Sequence, residues 1–427
     1  QGAQSAEMGA DLYRSEPVYR TAFDAASDAA GLVQGRPLTE WLYGDRNANA
    51  DRINQTDLSQ PALVAFGYAL GELWGAMGLR PDAVLGHSVG EIGAALASGQ
   101  ITLDVAMRLA VRRGELMQDC ADAGAMLALR ADEETARGLI QNLPDTVIAS
   151  YNGPMALSLS GPVEQIAELQ ARTEAAGIVT APIRVNRAFH SPAMAQAADS
   201  LLEGLDLEAQ PGLIPVYSTL TGMLAEAGAL AEPQYWRDQM LQPVSFLQAA
   251  QAAAAPGNAI FLEIGSGALL SGLGAVATPN AVWIKGGDSQ EALALTAGKV
   301  WSYGGAIDWE KYYGTRGASG DQLPRYPMLE EQMPRRPVRA MTMPVITPVQ
   351  GVTIGTTDLV EQVVDPVLSD PLSTEILPII ARVCRVAPDQ IASDAPLIPL
   401  GLDSTGMVQL QRELCSPLPP TLSLRDL

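Results

Sequence analysis

The stretch AVLGHSVGEIGAAL at residues 83–96 limits the possible fold more than any other part of the sequence. Apolar residues lead into the pentapeptide GHSVG at 86–90, and an apolar segment with helical periodicity follows it. Glycines on both sides of a serine allow a strand and a helix to pack closely around a strained turn, as in the nucleophile elbow of α/β enzymes. Such a turn would present the Ser88 hydroxyl at a helix N-terminus, which favours a developing negative charge. The alternative is an ordinary turn in which Ser88 caps the helix.

The residues around this turn predict an α/β fold. Upstream, apolar residues recur at helical spacing from 61 to 78, and residues 83–85 predict a strand. Downstream, residues 124–187 follow the order strand, helix, strand, strand, helix, strand, which is typical of a ferredoxin-like unit. We therefore expect an α/β-hydrolase-like body with an inserted ferredoxin-like subdomain. The later strands, which we expect to rejoin the main sheet, lie at 214–220, 259–265 and 281–287.

A serine nucleophile needs a base, and the sequence contains only two histidines, His87 and His190. His87 directly precedes the serine, and neighbouring side chains on such a turn point in diverging directions. His190 follows the last strand of the predicted insertion, at a junction that could overhang the main sheet. We therefore predict that His190 is the base.

Composition limits the kinds of partner that the protein can bind and indicates its cellular compartment. The net charge of −21 repels nucleic acid and anionic membranes. No apolar run reaches the ~18 residues that a membrane span requires. The cysteines, Cys120, Cys384 and Cys415, show none of the paired spacings that bind metal or form disulfide frameworks. These features predict a cytoplasmic protein that contains no metal site and binds neither nucleic acid nor membrane.

The C-terminal part of the sequence changes character twice. Residues 313–371 are rich in proline and sustain no helical or strand period, which predicts a linker. Residues 372–427 regain two helical segments around a loop and predict a small all-α domain. Ser404 would begin the second helix, whose N-terminus would favour a phosphodiester. Ordinary capping by Asp403 and Ser404 is the alternative.

Several motifs in a fixed order identify a family. They are QGAQSAEMG, SQPAL, GHSVGE, RRGELMQ, YNGP, AFHSP, VYSTLTG, YWRDQMLQPVSF, EIGSGALLSGL, IDWEKYY and LPRYP. Together they resemble the acyltransferase domain of type I polyketide synthases and, more distantly, malonyl-CoA:acyl-carrier-protein transacylases. The segment PLGLDSTGMVQLQREL resembles the phosphopantetheine attachment site of acyl carrier proteins. The resemblance implies an acyltransferase at 1–312, a post-acyltransferase linker at 313–371 and a carrier domain at 372–427.

The resemblance also implies a ping-pong transfer. Ser88 would attack the thioester of an acyl-CoA while His190 takes its proton. A 4'-phosphopantetheine arm on Ser404 would then receive the acyl group. The backbone N–H groups of Gln1 and Val89 match the family's oxyanion hole.

Further family positions bear on the substrate. Arg113 matches the arginine that pairs with the free carboxylate of a malonyl-type substrate, and a bidentate guanidinium suits that task. A plain surface arginine is the alternative. Val89 and the Ala-Phe-His of 188–190 favour malonyl over methylmalonyl, although Arg187 stands where the family usually has histidine. Gln239 stands where the family usually has asparagine, and its backbone carbonyl would orient His190. The remaining predicted pocket residues, with Arg187, are Gln60, His87, Asn152, Ala188 and Phe189. Gln60 and Asn152 could equally be turn or cap residues.

The resemblance predicts partners as well. Gln1 falls in the middle of a family motif, and Leu427 precedes the final helix of family carriers, so we expect a piece of a longer polypeptide with an incomplete carrier. The expected partners are malonyl-CoA, the acyl carrier domain, the ketosynthase and the other domains of the same synthase. We expect a homodimer that forms through domains outside this sequence.

Two other functions are possible alternatives to acyl transfer. An α/β hydrolase or thioesterase would use Ser88 and His190 on esters and would need an acid between them in the chain, for which Asp132 and Glu164 are candidates. That reading explains neither Arg113 nor Ser404. A docking segment that retains these motifs without turnover is the other possibility.

Overall fold

The computed structural model describes residues 4–5, 8–44, 52–120, 123–208 and 210–313. Gln1, almost all of the predicted linker at 313–371, and the predicted carrier domain with Ser404 lie outside the described residues. None of the described helices combines the length and the apolar character needed to cross a bilayer.

Helices and short strands alternate along the described chain. The helices are α1 (Ala10–Ser15), α2 (Pro17–Ala30), α3 (Leu38–Tyr43), α4 (Thr56–Ala76), α5 (Gly90–Ala97), α6 (Leu103–Gln118), α7 (Glu133–Leu139), α8 (Val163–Ala175), α9 (Ala195–Leu202), α10 (Pro233–Leu241), α11 (Phe246–Ala254), α12 (Leu269–Ala277), α13 (Gln290–Ser302) and α14 (Trp309–Tyr313). The strands are β1 (Val84–Leu85), β2 (Gly124–Leu129), β3 (Val147–Gly153), β4 (Ala156–Pro162), β5 (Thr180–Ile183), β6 (Val216–Ser218), β7 (Met223–Leu224), β8 (Ile260–Glu263) and β9 (Val282–Lys285).

Helix α4 is the centre of the larger core, where it packs between α2 and α6. The predicted helix is present, but it begins at Thr56 rather than at Pro61. The Thr56 N–H donates to the side chain of Gln118 at 3.1 Å, and Asp57 pairs with Arg52 at 2.8 Å. These contacts stabilise an extra first turn, so Pro61 lies inside the helix and removes only one hydrogen bond.

The inserted subdomain has the predicted ferredoxin-like architecture. Its four strands form an antiparallel sheet in the order β3, β4, β2, β5, with α7 and α8 as the two crossover helices. The insertion has its own apolar core, because alternate strand residues face the two helices. That core contains Leu127, Leu129, Ala131, Ala136, Leu143, Ile148, Leu157, Leu159, Ile166 and Leu169.

The strands of the larger body do not form the single sheet that the sequence predicts. β1 pairs in parallel with β6, which carries β7, whereas β8 and β9 pair only with each other in the described chain. Leu85 of β1 and Trp283 of β9 both pack on a buried cluster around Val244 and Phe246. Side chains therefore join the two sheets where we expected backbone hydrogen bonds.

Val244 also connects the insertion to the body. Its N–H donates to the carbonyl of Ala149 at 2.9 Å, and its carbonyl accepts from Tyr151 at 2.8 Å. Both partners lie in β3, so the insertion is fixed to the segment between α10 and α11.

Gly86 and Gly90 give a matched test of the turn between β1 and α5. A Cβ atom at Gly86 would overlap the backbone of Gly90 and Glu91, whereas one at Gly90 meets nothing within 4 Å. We expect Gly86→Ala to lower the free energy of unfolding by about 2–4 kcal/mol. Gly90→Ala should change it by less than about 1 kcal/mol, because the position is helical and open. Urea unfolding of both variants measures the difference, and equal losses would contradict the tight turn.

Candidate active site

The predicted elbow is present between β1 and α5. Ser88 has a φ of 54°, a left-handed backbone conformation that is costly for a residue with a side chain. The turn is closed by hydrogen bonds from the Gly90 N–H to the carbonyl of His87 and from the Glu91 N–H to the carbonyl of Ser88. Val89 is buried at the N-cap of α5, and its N–H donates to no other described residue.

Ser88 and His190 lie side by side, as the sequence predicts. The distance from Ser88 Oγ to His190 Nε2 is 2.7 Å. His190 Nδ1 faces the backbone carbonyls of Gln239 at 3.0 Å and Gln242 at 3.1 Å. Carbonyls only accept hydrogen bonds, so Nδ1 carries the proton and Nε2 is free to accept the serine proton. His190 also has a left-handed backbone, with a φ of 56°.

The second histidine occupies a different place. His87 Nε2 lies 2.8 Å from Oδ1 of Asn152, and the ring packs against Phe246. Because an amide oxygen accepts, His87 Nε2 must carry a proton and cannot act as the base for Ser88. Asn152 lies in β3, so this contact also joins the elbow to the insertion.

Burial keeps both imidazoles neutral. Burial, with smaller contributions from the positive charge of Arg113 and from the neighbouring His87, lowers the pKa of His190 to about 3. Burial likewise lowers the pKa of His87 to about 4. A neutral His190 at physiological pH is the protonation state that a general base requires.

Arg113 is completely buried in α6. Its Nη1 donates to the amide oxygen of Gln60 at 2.5 Å and its Nη2 to that of Gln239 at 3.0 Å. The Nε has no hydrogen-bond partner among the described residues, and no described carboxylate pairs with the guanidinium. Burial, partly offset by the nearby Glu91, lowers the pKa of Arg113 to about 10. The group therefore remains charged.

The side chain of Gln60 is held by contacts with Thr56 and Met117. It is buried, and its Nε2 donates to Thr56 Oγ1 at 2.9 Å and faces the sulfur of Met117 at 3.3 Å. These contacts direct the amide oxygen of Gln60 towards Arg113. The first turn of α4 thus contributes directly to the site.

Gln239 makes contacts that the sequence did not predict. Its backbone carbonyl faces His190 as expected, but its side chain also bridges Arg113 and the elbow. Oε1 accepts from Arg113, and Nε2 donates to the carbonyl of Ser88 at 2.8 Å. The buried Glu91 was missed as well, although its place three residues after Ser88 in the first turn of α5 was visible in the sequence.

The Arg187 side chain makes hydrogen bonds at the end of α6. Its guanidinium donates to the carbonyl of Gln118 at 2.7 Å and to that of Asn186 at 2.9 Å. It therefore caps the C-terminal end of α6 and makes no described contact with Ser88 or Arg113. Ala188 and Phe189, the next two residues, are buried, and Phe189 belongs to the larger core.

The acids that a hydrolase would require do not reach His190. Asp132 caps α7 by accepting from the Thr135 N–H at 2.8 Å, and Glu164 is exposed in the first turn of α8. Backbone carbonyls stand where a triad would have a carboxylate.

Comparison with known proteins identifies the family. Residues 1–279 match the model of the acyl transferase domain, and residues 374–427 match that of the phosphopantetheine attachment site. The chain belongs to the acyl transferase domain family, and it continues into a domain of the type that carries phosphopantetheine covalently on a serine.

The relatives narrow this class to type I polyketide synthases. Polyketide synthase GfsA of Streptomyces halstedii is 32% identical over 76% of this chain. The acyltransferase domain from the second module of the salinomycin polyketide synthase has a TM-score of 0.69 at 33% identity and covers 76% of each chain. The malonyl-CoA:acyl carrier protein transacylase of Xanthomonas oryzae has a TM-score of 0.64 at 28% identity over 70% of this chain and 95% of its own. The chain spans 4% of the length of GfsA.

The low pKa of His190 predicts how the activity of this site depends on pH. Because a depressed pKa keeps Nε2 unprotonated down to about pH 3, the rate of Ser88 acylation should change less than about threefold between pH 8 and pH 5. Single-turnover rates with an acyl-CoA across that range test this expectation. A fall in rate centred near pH 6.5, the ordinary value for histidine, would contradict it.

Proposed function

We propose that this chain transfers a malonyl unit from malonyl-CoA through Ser88 to the phosphopantetheine arm of an acyl carrier domain during polyketide synthesis. The observation that carries the proposal is the 2.7 Å contact between Ser88 and His190 beside the buried, charged Arg113. A hydroxyl, a neutral base and a guanidinium in one buried site suit an acyl-CoA whose acyl group ends in a carboxylate.

The transfer proceeds in two balanced steps. Ser88 Oγ attacks the thioester carbon as its proton moves to His190 Nε2, and the departing CoA sulfur takes that proton. The arm's thiol then gives its proton to Nε2 and attacks the serine ester, and Ser88 regains a proton from the imidazolium. The carbonyls of Gln239 and Gln242, at the C-terminal end of α10, stabilise the transient imidazolium.

The oxyanion of each step needs two donors. The N–H of Val89 lies at the N-terminus of α5 and donates to no other described residue, so it is available for this role. Gln1, which lies outside the described residues, is the proposed second donor.

Arg113 supplies the selectivity for a dicarboxylic acyl group. It is held by neutral amides of Gln60 and Gln239, and its Nε has no partner among the described residues. A buried guanidinium in these surroundings gains most from an incoming carboxylate. Val89 and Phe189 complete the family pattern for malonyl rather than methylmalonyl. His87, Asn152, Arg187 and Ala188 are proposed to line the same pocket.

Ser404 is the proposed attachment site for 4'-phosphopantetheine, because it occupies the serine of the Gly-Leu-Asp-Ser motif within the matched residues 374–427. Its arm would accept the malonyl group from Ser88. We propose that this chain works together with a ketosynthase and other domains of the same synthase. Those domains are proposed to form a homodimer.

Intact-protein mass spectrometry tests this function. The Ser404→Ala variant of the whole chain, which isolates the first step, is exposed briefly to malonyl-CoA and methylmalonyl-CoA together. We expect a malonyl adduct, and no adduct when Ser88→Ala is added. In the chain with Ser404 and its arm, the malonyl group should move from Ser88 to the arm.

The outcomes separate the parts of the proposal. A methylmalonyl adduct alone would overturn the substrate and leave the transfer intact. Free malonate released without a stable adduct would favour the hydrolase, and the absence of both adduct and release would favour a docking segment.

A further inference from the structure

Glu91 is a buried carboxylate next to the elbow for which the proposed transfer has no role. It lies in the first turn of α5, three residues after Ser88, and is completely buried. One oxygen, Oε1, accepts hydrogen bonds from the Thr219 N–H and from the Tyr235 hydroxyl, both at 2.7 Å. The other, Oε2, has no partner among the described residues.

This single oxygen joins three elements. Glu91 lies on the elbow helix α5, Thr219 directly follows β6, and Tyr235 lies in α10. Thr219 in turn donates through Oγ1 to the carbonyl of Gly86 at 2.9 Å, and the Tyr235 hydroxyl lies 2.7 Å from Ser218 Oγ. The carboxylate therefore fixes the distance between the elbow and α10.

Helix α10 carries the residue that contacts every part of the site. Gln239 lies four residues after Tyr235, on the same face of the helix. Its carbonyl faces His190, its Oε1 accepts from Arg113, and its Nε2 donates to the carbonyl of Ser88. A shift or rotation of α10 would therefore alter the orientation of the base and of the guanidinium together.

The surroundings of Glu91 also bear on Gln239 and Arg113. Burial raises the pKa of Glu91, while the hydrogen bonds from Tyr235 and Thr219 oppose the rise. Gln239 donates through Nε2 to the carbonyl of Ser88, which leaves its Oε1 turned towards Arg113. In its ionised form Glu91 raises the pKa of Arg113.

We propose that Glu91 is a positioning residue for acyl transfer, which holds α10 and the Gln239 amide so that one residue orients both His190 and Arg113. This inference rests on the proposed function. Glu91 does not contact the reacting atoms and acts through Tyr235 and Gln239. It should therefore affect the rate of acylation and the preference for a dicarboxylic acyl group together.

Glu263 is a matched control. It is also a buried carboxylate, and it accepts from the Leu270 and Ser271 N–H groups and from the Ser271 hydroxyl. None of its described hydrogen bonds reaches Ser88, His190, Arg113 or Gln239. Replacing it removes similar interactions without moving α10.

The experiment measures kcat and KM for Ser88 acylation by malonyl-CoA and by acetyl-CoA, together with thermal unfolding. We expect Glu91→Ala to lower kcat by about 10- to 100-fold and to reduce the preference for malonyl, since small misplacements of catalytic groups have such effects. Glu91→Gln should recover kcat to within about threefold, because the amide oxygen can accept the same two hydrogen bonds. Glu263→Ala should lose stability but keep both kcat and the malonyl preference.

Tyr235→Phe keeps the test decisive if Glu91→Ala does not fold, because it removes one hydrogen bond with little change in volume. We expect it to lower kcat and the malonyl preference together. Variants at Glu91 or Tyr235 that lose stability but keep both quantities would overturn the proposal, as would a Glu91→Gln variant as impaired as Glu91→Ala. Failure of the wild-type chain to form any Ser88 adduct would instead refute the proposed function.

Discussion

The left-handed backbone of Ser88 is the constraint on which the site depends. A residue with a side chain adopts this conformation at a cost of about 1–3 kcal/mol, so the surroundings must enforce it. Gly86 does so from one side, because its lack of a Cβ lets β1 approach the start of α5. Gln239 does so from the other side by donating to the carbonyl of Ser88. The hydroxyl is thereby fixed within 2.7 Å of His190, which has a left-handed backbone of its own.

No carboxylate of the described residues orients the His190 ring. Two carbonyls from the end of α10 hold Nδ1, and the insertion ends directly before the histidine. Because α10 also contributes the Gln239 amide to Arg113, the His190 imidazole and the guanidinium share one support. This sharing distinguishes the site from a hydrolase triad, in which an acidic side chain orients the base alone. The segment between α10 and α11 is in turn hydrogen-bonded to β3 of the insertion.

The sequence predicts the parts of this structure that depend on local patterns, and the order of elements in the insertion is one of them. The elbow follows from the glycines around Ser88, and the choice of His190 follows from the scarcity of histidine. The rest depends on distant partners. Gln118, 62 residues away, lengthens α4, and the Gln239 side chain reaches Arg113 across 126 residues. Likewise, side chains of both sheets pack around Phe246, a long-range contact that no strand pattern encodes.

The most direct test of this account is the ratio of malonyl to acetyl transfer onto Ser88 in Arg113→Ala. Arg112, the exposed neighbour of Arg113 on α6, provides the control. Loss of a charged hydrogen-bonding partner should lower malonyl transfer by about 10- to 100-fold while acetyl transfer stays within about threefold, and Arg112→Ala should leave the ratio unchanged. An unchanged ratio in Arg113→Ala, or an equal fall for both substrates, would contradict the claim that this buried guanidinium selects the acyl group.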